Sequence, residues 1–395
     1  MLLTERHIIK TSNPLYTELD KMCSLSKNLY NQSLYRIRQH YFSTKEYLNY
    51  YSNVKQLTKE KQTDYVALPA KVAQWVVKQV DQNFRSFFAS LKSKKVTHKV
   101  SIPKYLEKNS RYMLTFTNQA ISGKELKLGY LKLSGCGSRI KLVHTDVRQV
   151  RVIPRNKLFT VEVIYNIDEK RCCDNGNYVG IDIGLNNLAT VGGNKISPII
   201  VNGRPLKSIN QFYNKELAKL RSRQDTCKNK NVSSNKIRKL TQKRSNKVKD
   251  YLHKASRKLV NRLVSNNVSK IVIGHNKNWK QDISLGKSNN QKFVQIPFNT
   301  FIHMVTYKAQ LEGVEVVTRD ESYTSKCSFL DNEEICKHET YKGKRIKRGL
   351  FRSYDGRLIN ADLNGALNIL RKEIPNVFNE YGIEACSTPV NLFTK

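Results

Sequence analysis

Apolar positions along the chain follow two periods, and the alternation between them divides the sequence. Residues 1–10 (MLLTERHIIK) predict a short strand. From Leu15 to Phe42 the period is helical, with Leu15, Leu19, Met22, Leu29 and Ile37 on one face and Arg36, Arg38 and His40 near the end; a tyrosine-rich connector follows. Residues 68–92 predict a second helix, with Pro69 suited to a first turn. Val72, Val76, Val80, Phe84, Phe87 and Leu91 share one side of it, and Lys71, Gln74, Lys78 and Arg85 the other. Between 96 and 168 the period is two, in runs such as KLGYLKLSG, RIKLVHT, VRQVRVIP and LFTVEVIYNI. Gly, Ser, Asn and Pro separate these runs, which predicts a small antiparallel β-domain, a barrel completed by the first strand. The two helices are then an insertion, and CDNGN (173–177) is a linker.

The second half opens on YVGIDIGLNNLATV (178–191), a buried strand that turns at Gly184–Asn187 into a hairpin and carries Asp182 in its middle. A buried carboxylate is costly unless neutralised, so either a salt bridge lies beside Asp182 or the residue holds a metal. A long helical section, 206–267, keeps an apolar stripe at Leu240, Val248, Leu252, Leu259 and Leu263. VSKIVIGH (268–275) has the continuous β-branched character of an inner strand. A polar loop containing Trp279 follows, then a helix capped by Asn299 and reaching about Gly313, then a strand at 314–317 with DESYTSK (320–326) directly after it. The segment 327–357 is basic and punctuated by glycine. The last predicted helix, 360–372, has Asn360 near its start, Asp362 in its first turn, and Leu363, Ala366, Leu367 and Leu370 facing a core. An acid in the first strand, another after the last strand and a third opening the closing helix is how an RNase H-like nuclease fold assembles a metal site. Carboxylates supply the hard oxygen ligands that two Mg²⁺ ions need there.

Charge changes the picture next. The 395 residues include 70 Lys and Arg against 32 Asp and Glu, a net +38, which implies a polyanionic partner. No apolar run reaches the roughly 18 residues of a membrane span, and no signal-peptide pattern opens the sequence. Nucleic acid is therefore preferred to a membrane, and an intracellular site is expected: cytoplasm or nucleoid in a prokaryote, nucleus for a eukaryotic or viral protein. Between 236 and 258 ten Lys or Arg face one acid, Asp250; Arg238, Lys239, Lys243, Arg244 and Lys247 are the expected phosphate track. Lys71, Gln74 and Lys78 form a second candidate face for DNA, against the alternative of a solvated surface. Eight scattered cysteines suggest free thiols in a reducing compartment. His253, His275, Trp75 and Trp279 are expected to be structural, and Asn364 and Asn368 to orient carboxylates or cap backbone.

IDIGLNNLAT, LYNQSLYRIRQHYF, LPAKVAQ…SFFASLK, YTS and NADLNGALNIL, in this order, resemble TnpB, the transposon-encoded RNA-guided nuclease family related to Fanzor proteins and type V CRISPR effectors. The resemblance covers nearly the whole chain. It implies a multidomain α+β and α/β protein. A wedge β-barrel (1–10 and 93–176) would be interrupted by a helical recognition domain (11–92). A RuvC-like, RNase H-type nuclease domain (177–322 and 358–374) would contain a zinc-finger-like insertion (323–357), and a tail (375–395) would follow. It also implies a guide RNA from the transposon end, double-stranded target DNA read beside a short motif near Lys71, Gln74 and Lys78, and two Mg²⁺ ions.

Two departures qualify that. Where the family has a glutamate ending the strand read here as KIVIGH, this sequence has Gly274 and His275; Glu321 is expected to supply the ligand instead, because its strand should neighbour that one and end on the same side. Asp182, Glu321 and Asp362 are then the catalytic, metal-holding set, with Asp320 and Glu315 poorer candidates. The finger retains Cys327, Cys336 and His338, one ligand short of a closed zinc site. A degenerate finger held by packing is expected there, Cys386 being too distant to complete it, and Arg345, Lys347 and Arg348 would clamp a phosphate or face solvent. The expected activity is RNA-guided DNA cleavage; a nuclease-dead RNA-guided DNA binder and a DNA-strand transposase are the alternatives.

Overall fold

Strand pairing ties the two ends of the first half together. In the computed structural model, which describes residues 1–93, 100–155, 157–226, 234–276, 291, 293–378 and 389–392, the chain forms two units, Met1–Asp168 and Glu169–Lys395. In the first, strand β1 (Leu2–Lys10) is followed by helices α1 (Leu15–Thr44), α2 (Tyr50–Lys59), α3 (Thr63–Ala67) and α4 (Ala70–Lys92). Strand β2 (Leu114–Thr117), helix α5 (Gly123–Lys127) and strands β3 (Tyr130–Lys132), β4 (Arg139–Lys141), β5 (Val147–Arg155) and β6 (Leu158–Asn166) complete it. β1 lies antiparallel to β6 from Leu2↔Asn166 to Lys10↔Leu158, so the helices are inserted after the first strand, as the sequence pattern predicts.

The expected barrel does not close among the described residues. The strands form a four-stranded antiparallel sheet, β1-β6-β5-β2, and a separate β3–β4 pair. A bridge between Ile121 and Leu133 is not a ladder, so the small pair lies beside the sheet without extending it. The tyrosine-rich connector is helical: Asn49 and Gln62 accept backbone N–H groups at the starts of α2 and α3, and these caps outweigh the weak local pattern. Helix α1 is unbroken and ends at Lys45 in a left-handed conformation, φ 62°. Pro69 sits at the cap of α4, one place before the first turn. Val72, Val76, Val80 and Phe84 are buried as expected, whereas Leu91 is exposed. They pack with Leu19 and Leu29 of α1 and with Val150, Val161 and Val163 of the sheet in one core.

The second unit holds strands β7 (Tyr178–Asp182), β8 (Asn187–Gly193) and β9 (Ile199–Asn202), helices α6 (Arg204–Thr226) and α7 (Asn235–Ser265), strand β10 (Lys270–Gly274), helix α8 (Phe298–Leu311) and strand β11 (Glu315–Arg319). Three short strands, β12 (Lys344–Lys347), β13 (Leu350–Arg352) and β14 (Leu358–Asn360), make a small antiparallel sheet before helix α9 (Ala361–Glu373). The main sheet runs β11-β10-β7-β8-β9, extended by β15 (Val390–Asn391). β7, β8 and β9 are antiparallel neighbours, while β10 and β11 run parallel to β7. This is the mixed order of an RNase H-like sheet, and it puts the ends of β7, β10 and β11 along one edge. Trp279, Cys227 and Cys386 lie outside the described residues. No described helix is long and apolar enough to cross a membrane.

Alternation within β7 assigns its two faces. Val179 and Ile181 join Ile271, Ile273, Val260 and Phe301 in the core beneath α7 and α8. Gly180 and Asp182 turn to the opposite face, where α9 lies. That helix rests directly on the strand: a Cβ on Gly180 would sit 2.0 Å from the Ala366 carbonyl oxygen, and one on Gly192 2.8 Å from both Leu363 Cδ1 and Leu367 Cδ2. A backbone atom cannot yield as a side-chain end can. Gly180→Ala is therefore expected to destabilise the protein by about 3 kcal/mol or more, read as a lower urea midpoint or a loss of soluble expression; unchanged stability would show that α9 does not bear on β7.

Helix α8 differs from expectation at its start. Pro297, not Asn299, is at the cap and makes no side-chain cap bond. Asn299 is already in the first turn, and its Oδ1 lies 2.9 Å from His275 Nε2, so its polar group serves β10 instead of the helix end.

Candidate active site

Three acids come from three different kinds of position. Asp182 is the last residue of β7 and is only partly exposed. Asp362 lies in the first turn of α9, placed by Asn360, whose Oδ1 accepts from the backbone N–H of Asp362 and Leu363. Glu321 follows β11 by two residues. Close packing aims Asp182 at α9: its Oδ2 is 3.2 Å from where a Cβ on Gly365 would stand. The Asp182 carboxyl is pushed up to about 8, first by burial, then by the charge of Asp362 and of Glu321, with Arg345 and the Ile183 N–H opposing. The two other acids are thus near enough to act on it electrostatically.

Glu321 takes up space that β10 leaves open. β11 pairs parallel with β10 up to Gly274↔Arg319, so its continuation passes beside the end of β10. Glu321 Oε2 is 3.1 Å from the position of a Cβ on Gly274. The side chain missing at Gly274 leaves room for a carboxylate arriving from the adjacent strand. Asn276 fixes it there, accepting from the Glu321 N–H at 3.1 Å and donating from Nδ2 to Oε1 at 3.2 Å. Burial raises the Glu321 carboxyl, and His275 works against that shift. The poorer candidates point elsewhere: Asp320 accepts from the Ser322 N–H and hydroxyl, and Glu315 pairs with Lys270 at 3.1 Å.

Asp362 already has partners. Arg345 of β12 donates from Nη2 to Oδ1 at 3.1 Å, and Asn187 of β8 donates from Nδ2 to Oδ2 at 2.8 Å. Among the described residues no group of three His, Cys, Asp or Glu side chains is drawn into a metal cage. The donor chemistry nevertheless suits a hard divalent cation. The charges of Asp362 and Glu321 raise the proton affinity of Asp182, and the Arg345 guanidinium partly offsets them. Neither Asn187, Asn276 nor the Arg345–Asp362 pair was anticipated from the sequence, although both asparagines sit beside the strand ends in question.

Other candidates fall into place separately. Asn364 and Asn368 do not touch the acids; Asn364 Nδ2 donates to the Cys327 carbonyl, and Asn368 Nδ2 to the carbonyls of Thr324 and Cys327. In the finger, Cys336 Sγ is 3.4 Å from His338 Nε2, while the buried Cys327 thiol faces the Cys336 carbonyl at 3.7 Å. The Cys327 thiol is raised, chiefly by burial. Lys71 and Lys78 are exposed on α4 with Gln74 half-buried between them, and Lys78 lies over the Trp75 ring. On α7, Arg238, Lys239, Lys243 and Lys247 are exposed, as is Arg348 in the turn after β12. Arg244 is the exception: it is partly buried and bonded to Asn210 Oδ1 and the Gln295 carbonyl.

The sheet order is that of an RNase H-like fold. Residues 161–280 match the family model OrfB_IS605, a probable transposase, and residues 298–369 the TNB domain of Cas12f1-like proteins. The chain is 25% identical over 414 aligned residues to the TnpB-like protein ORF457 of Acidianus two-tailed virus, covering 92% of this chain and 85% of the viral one. It is 30% identical over 217 residues to the CRISPR-associated endodeoxyribonuclease Cas12f2 of Micrarchaeota archaeon (strain CG1_02_47_40), covering 50% of this chain and 37% of the relative. Among solved structures, the mini-RNA-guided endonuclease CRISPR-Cas phi3 matches with a TM-score of 0.51 at 10% identity, over 94% of this chain and 92% of that one. A Cas12f1–sgRNA–target DNA complex matches with a TM-score of 0.39 at 17% identity, over 94% and 100% of the respective chains. The chain is thus similar to TnpB-like and Cas12f-type proteins.

Proposed function

We propose that this protein is an RNA-guided DNA endonuclease of a transposable element, cutting target DNA beside a short adjacent motif. The observation that supports the reading is that the charges of both Asp362 and Glu321 act on Asp182 at the end of its strand. Net +38 supports polynucleotide partners. The relatives' names support a guide RNA and a DNA substrate. Asp182, Glu321 and Asp362 would hold Mg²⁺, which when bound would supply water activation and charge stabilisation for phosphodiester hydrolysis to 5′-phosphate and 3′-hydroxyl ends. The chain's own residues prepare this: Asn276 holds Glu321, Asn187 holds Asp362, and Arg345 balances charge beside it. Guide pairing would select the site, with Lys71, Gln74 and Lys78 against the adjacent duplex and α7 along the phosphate backbone.

The Arg345–Asp362 ion pair favours one other reading, an RNA-guided DNA binder in which arginine permanently replaces a cation. Expression with the native flanking DNA, sequencing of co-purified RNA, and plasmid cleavage with Mg²⁺ or EDTA separate the two. Metal-dependent cutting at guide-matched sites is expected, and RNA-directed binding without any cutting would establish the alternative. Arg345→Ala is further expected to bind Mn²⁺ several-fold more tightly in calorimetry, because a competing cation is removed from Asp362; unchanged or weaker binding would show that the arginine does not compete.

A further inference from the structure

Helices α6 and α7 leave between them a cavity of about 230 Å³, away from the three acids in sequence and built from residues of a different kind. Its apolar lining includes Ile209 of α6 and Leu240 of α7. Phe212 forms part of the wall and is 59% exposed. Lys243 and Lys247, one helical turn apart on α7, stand exposed at the same opening. A lone exposed phenylalanine is ordinary on a protein surface. Its surroundings here are not.

Arg244 is held in one orientation before any ligand arrives. Its Nε donates to Oδ1 of the buried Asn210 at 2.8 Å, and its Nη2 donates to the Gln295 carbonyl at 2.8 Å. The guanidinium lies 5.4 Å from the centroid of the Tyr213 ring, and the Tyr213 hydroxyl is 3.2 Å from Thr241 Oγ1. Among the described residues, no carboxylate forms an ion pair with Lys243, Arg244 or Lys247. The opening therefore combines an aromatic face, a fixed guanidinium, an apolar lining and two cations with no counter-charge.

An acidic peptide would satisfy the lysines and gain nothing from the lining. A drug-sized cofactor would need about 300 Å³ or more. A nucleobase with its own phosphate matches each part: the ring stacks on an aromatic and meets arginine, and the phosphate meets lysine. We infer that this cavity seats one unstacked base of the guide RNA, with Phe212 against the base and Lys243 and Lys247 on the adjoining phosphate. RNA is favoured over DNA because splayed single-stranded bases on aromatic and arginine planes are the usual way RNA is read. The inference rests on the RNA-guided reading proposed above and names where that RNA is gripped.

The test uses the full chain purified with its RNA, carrying 4-thiouridine, irradiated and mapped by mass spectrometry. An RNA adduct is expected on the segment containing Phe212 and Tyr213. Phe212→Ala should lose that adduct and weaken RNA binding about 5- to 150-fold, the effect of losing one base–aromatic stack; Phe212→Trp should retain both. The exposed position predicts an unchanged melting temperature for Phe212→Ala, separating lost contact from lost fold. If RNA co-purifies but crosslinks elsewhere, and Phe212→Ala binds it like the wild type, the seat is refuted while RNA guidance stands. An adduct at Phe212 from DNA alone overturns the assignment to RNA, and a protein that retains no RNA overturns both readings.

Discussion

Asp182→Asn is expected to abolish Mg²⁺-dependent DNA cleavage and, in the same molecule, to stabilise the metal-free protein. Burial and the charges of Asp362 and Glu321 raise the Asp182 carboxyl from 3.8 to about 8. The sign follows from linkage: a raised carboxyl contributes stability that is fully present below about pH 4 and is lost as pH climbs towards 8. Four pH units correspond to a ceiling of about 5–6 kcal/mol, so a gain of a few kcal/mol at pH 8 is expected for the asparagine, or about 5 °C or more in melting temperature. Differential scanning calorimetry in EDTA at pH 5 and pH 8 reads it. The variant's advantage over the wild type should be largest at pH 8 and clearly smaller at pH 5. Wild-type stability that does not fall over that interval would show that Asp182 carries no uncompensated charge.

Glu321→Gln should lower cleavage about a thousandfold or more, equivalent to about 4 kcal/mol of transition-state stabilisation, while leaving RNA retention intact. Normal cutting by this variant would remove Glu321 from the site. Geometry also suggests a rescue. A side chain on Gly274 would collide with Ile369 Cδ1 at 2.4 Å, the far end of a flexible group, and with Glu321 Oε2 at 3.1 Å. With Ile369→Val making room and Glu321→Ala clearing the carboxylate, Gly274→Glu is expected to recover about a tenth of wild-type cleavage, measured as single-turnover rates on a guide-matched plasmid. Recovery would show that one carboxylate at that point suffices, whichever strand brings it.

Much of the second unit was legible because its signals are local. The alternation in VGIDI and the continuous KIVIG run mark inner strands, and Asn360 followed by Asp362 marks a helix start. Glu321 could be selected because parallel neighbouring strands end on the same side, a rule that needs only the strand order. The barrel was less legible: alternation gives each strand its faces but says nothing of which edges meet, and β3–β4 pair apart from the four-stranded sheet. The tyrosine-rich stretch reads poorly because its helices rest on the caps at Asn49 and Gln62, single residues within a weak pattern. Arg345 opposite Asp362 was hidden for another reason: a β-strand 17 positions upstream reaches the helix only through tertiary folding, and a basic run gives no hint which member turns inward.

Helix α9 has a mechanical consequence. Asn364 and Asn368 grip the backbone of the turn after Glu321, Lys372 donates to the Ser322 carbonyl, and Glu373 pairs with Arg319 at the end of β11. Asp362 and Glu321 are thereby mounted on one rigid bracket, while Asp182 is mounted on the strand beneath it. Widening or narrowing the gap to Asp182 would therefore move the helix and the turn that carries Glu321 together.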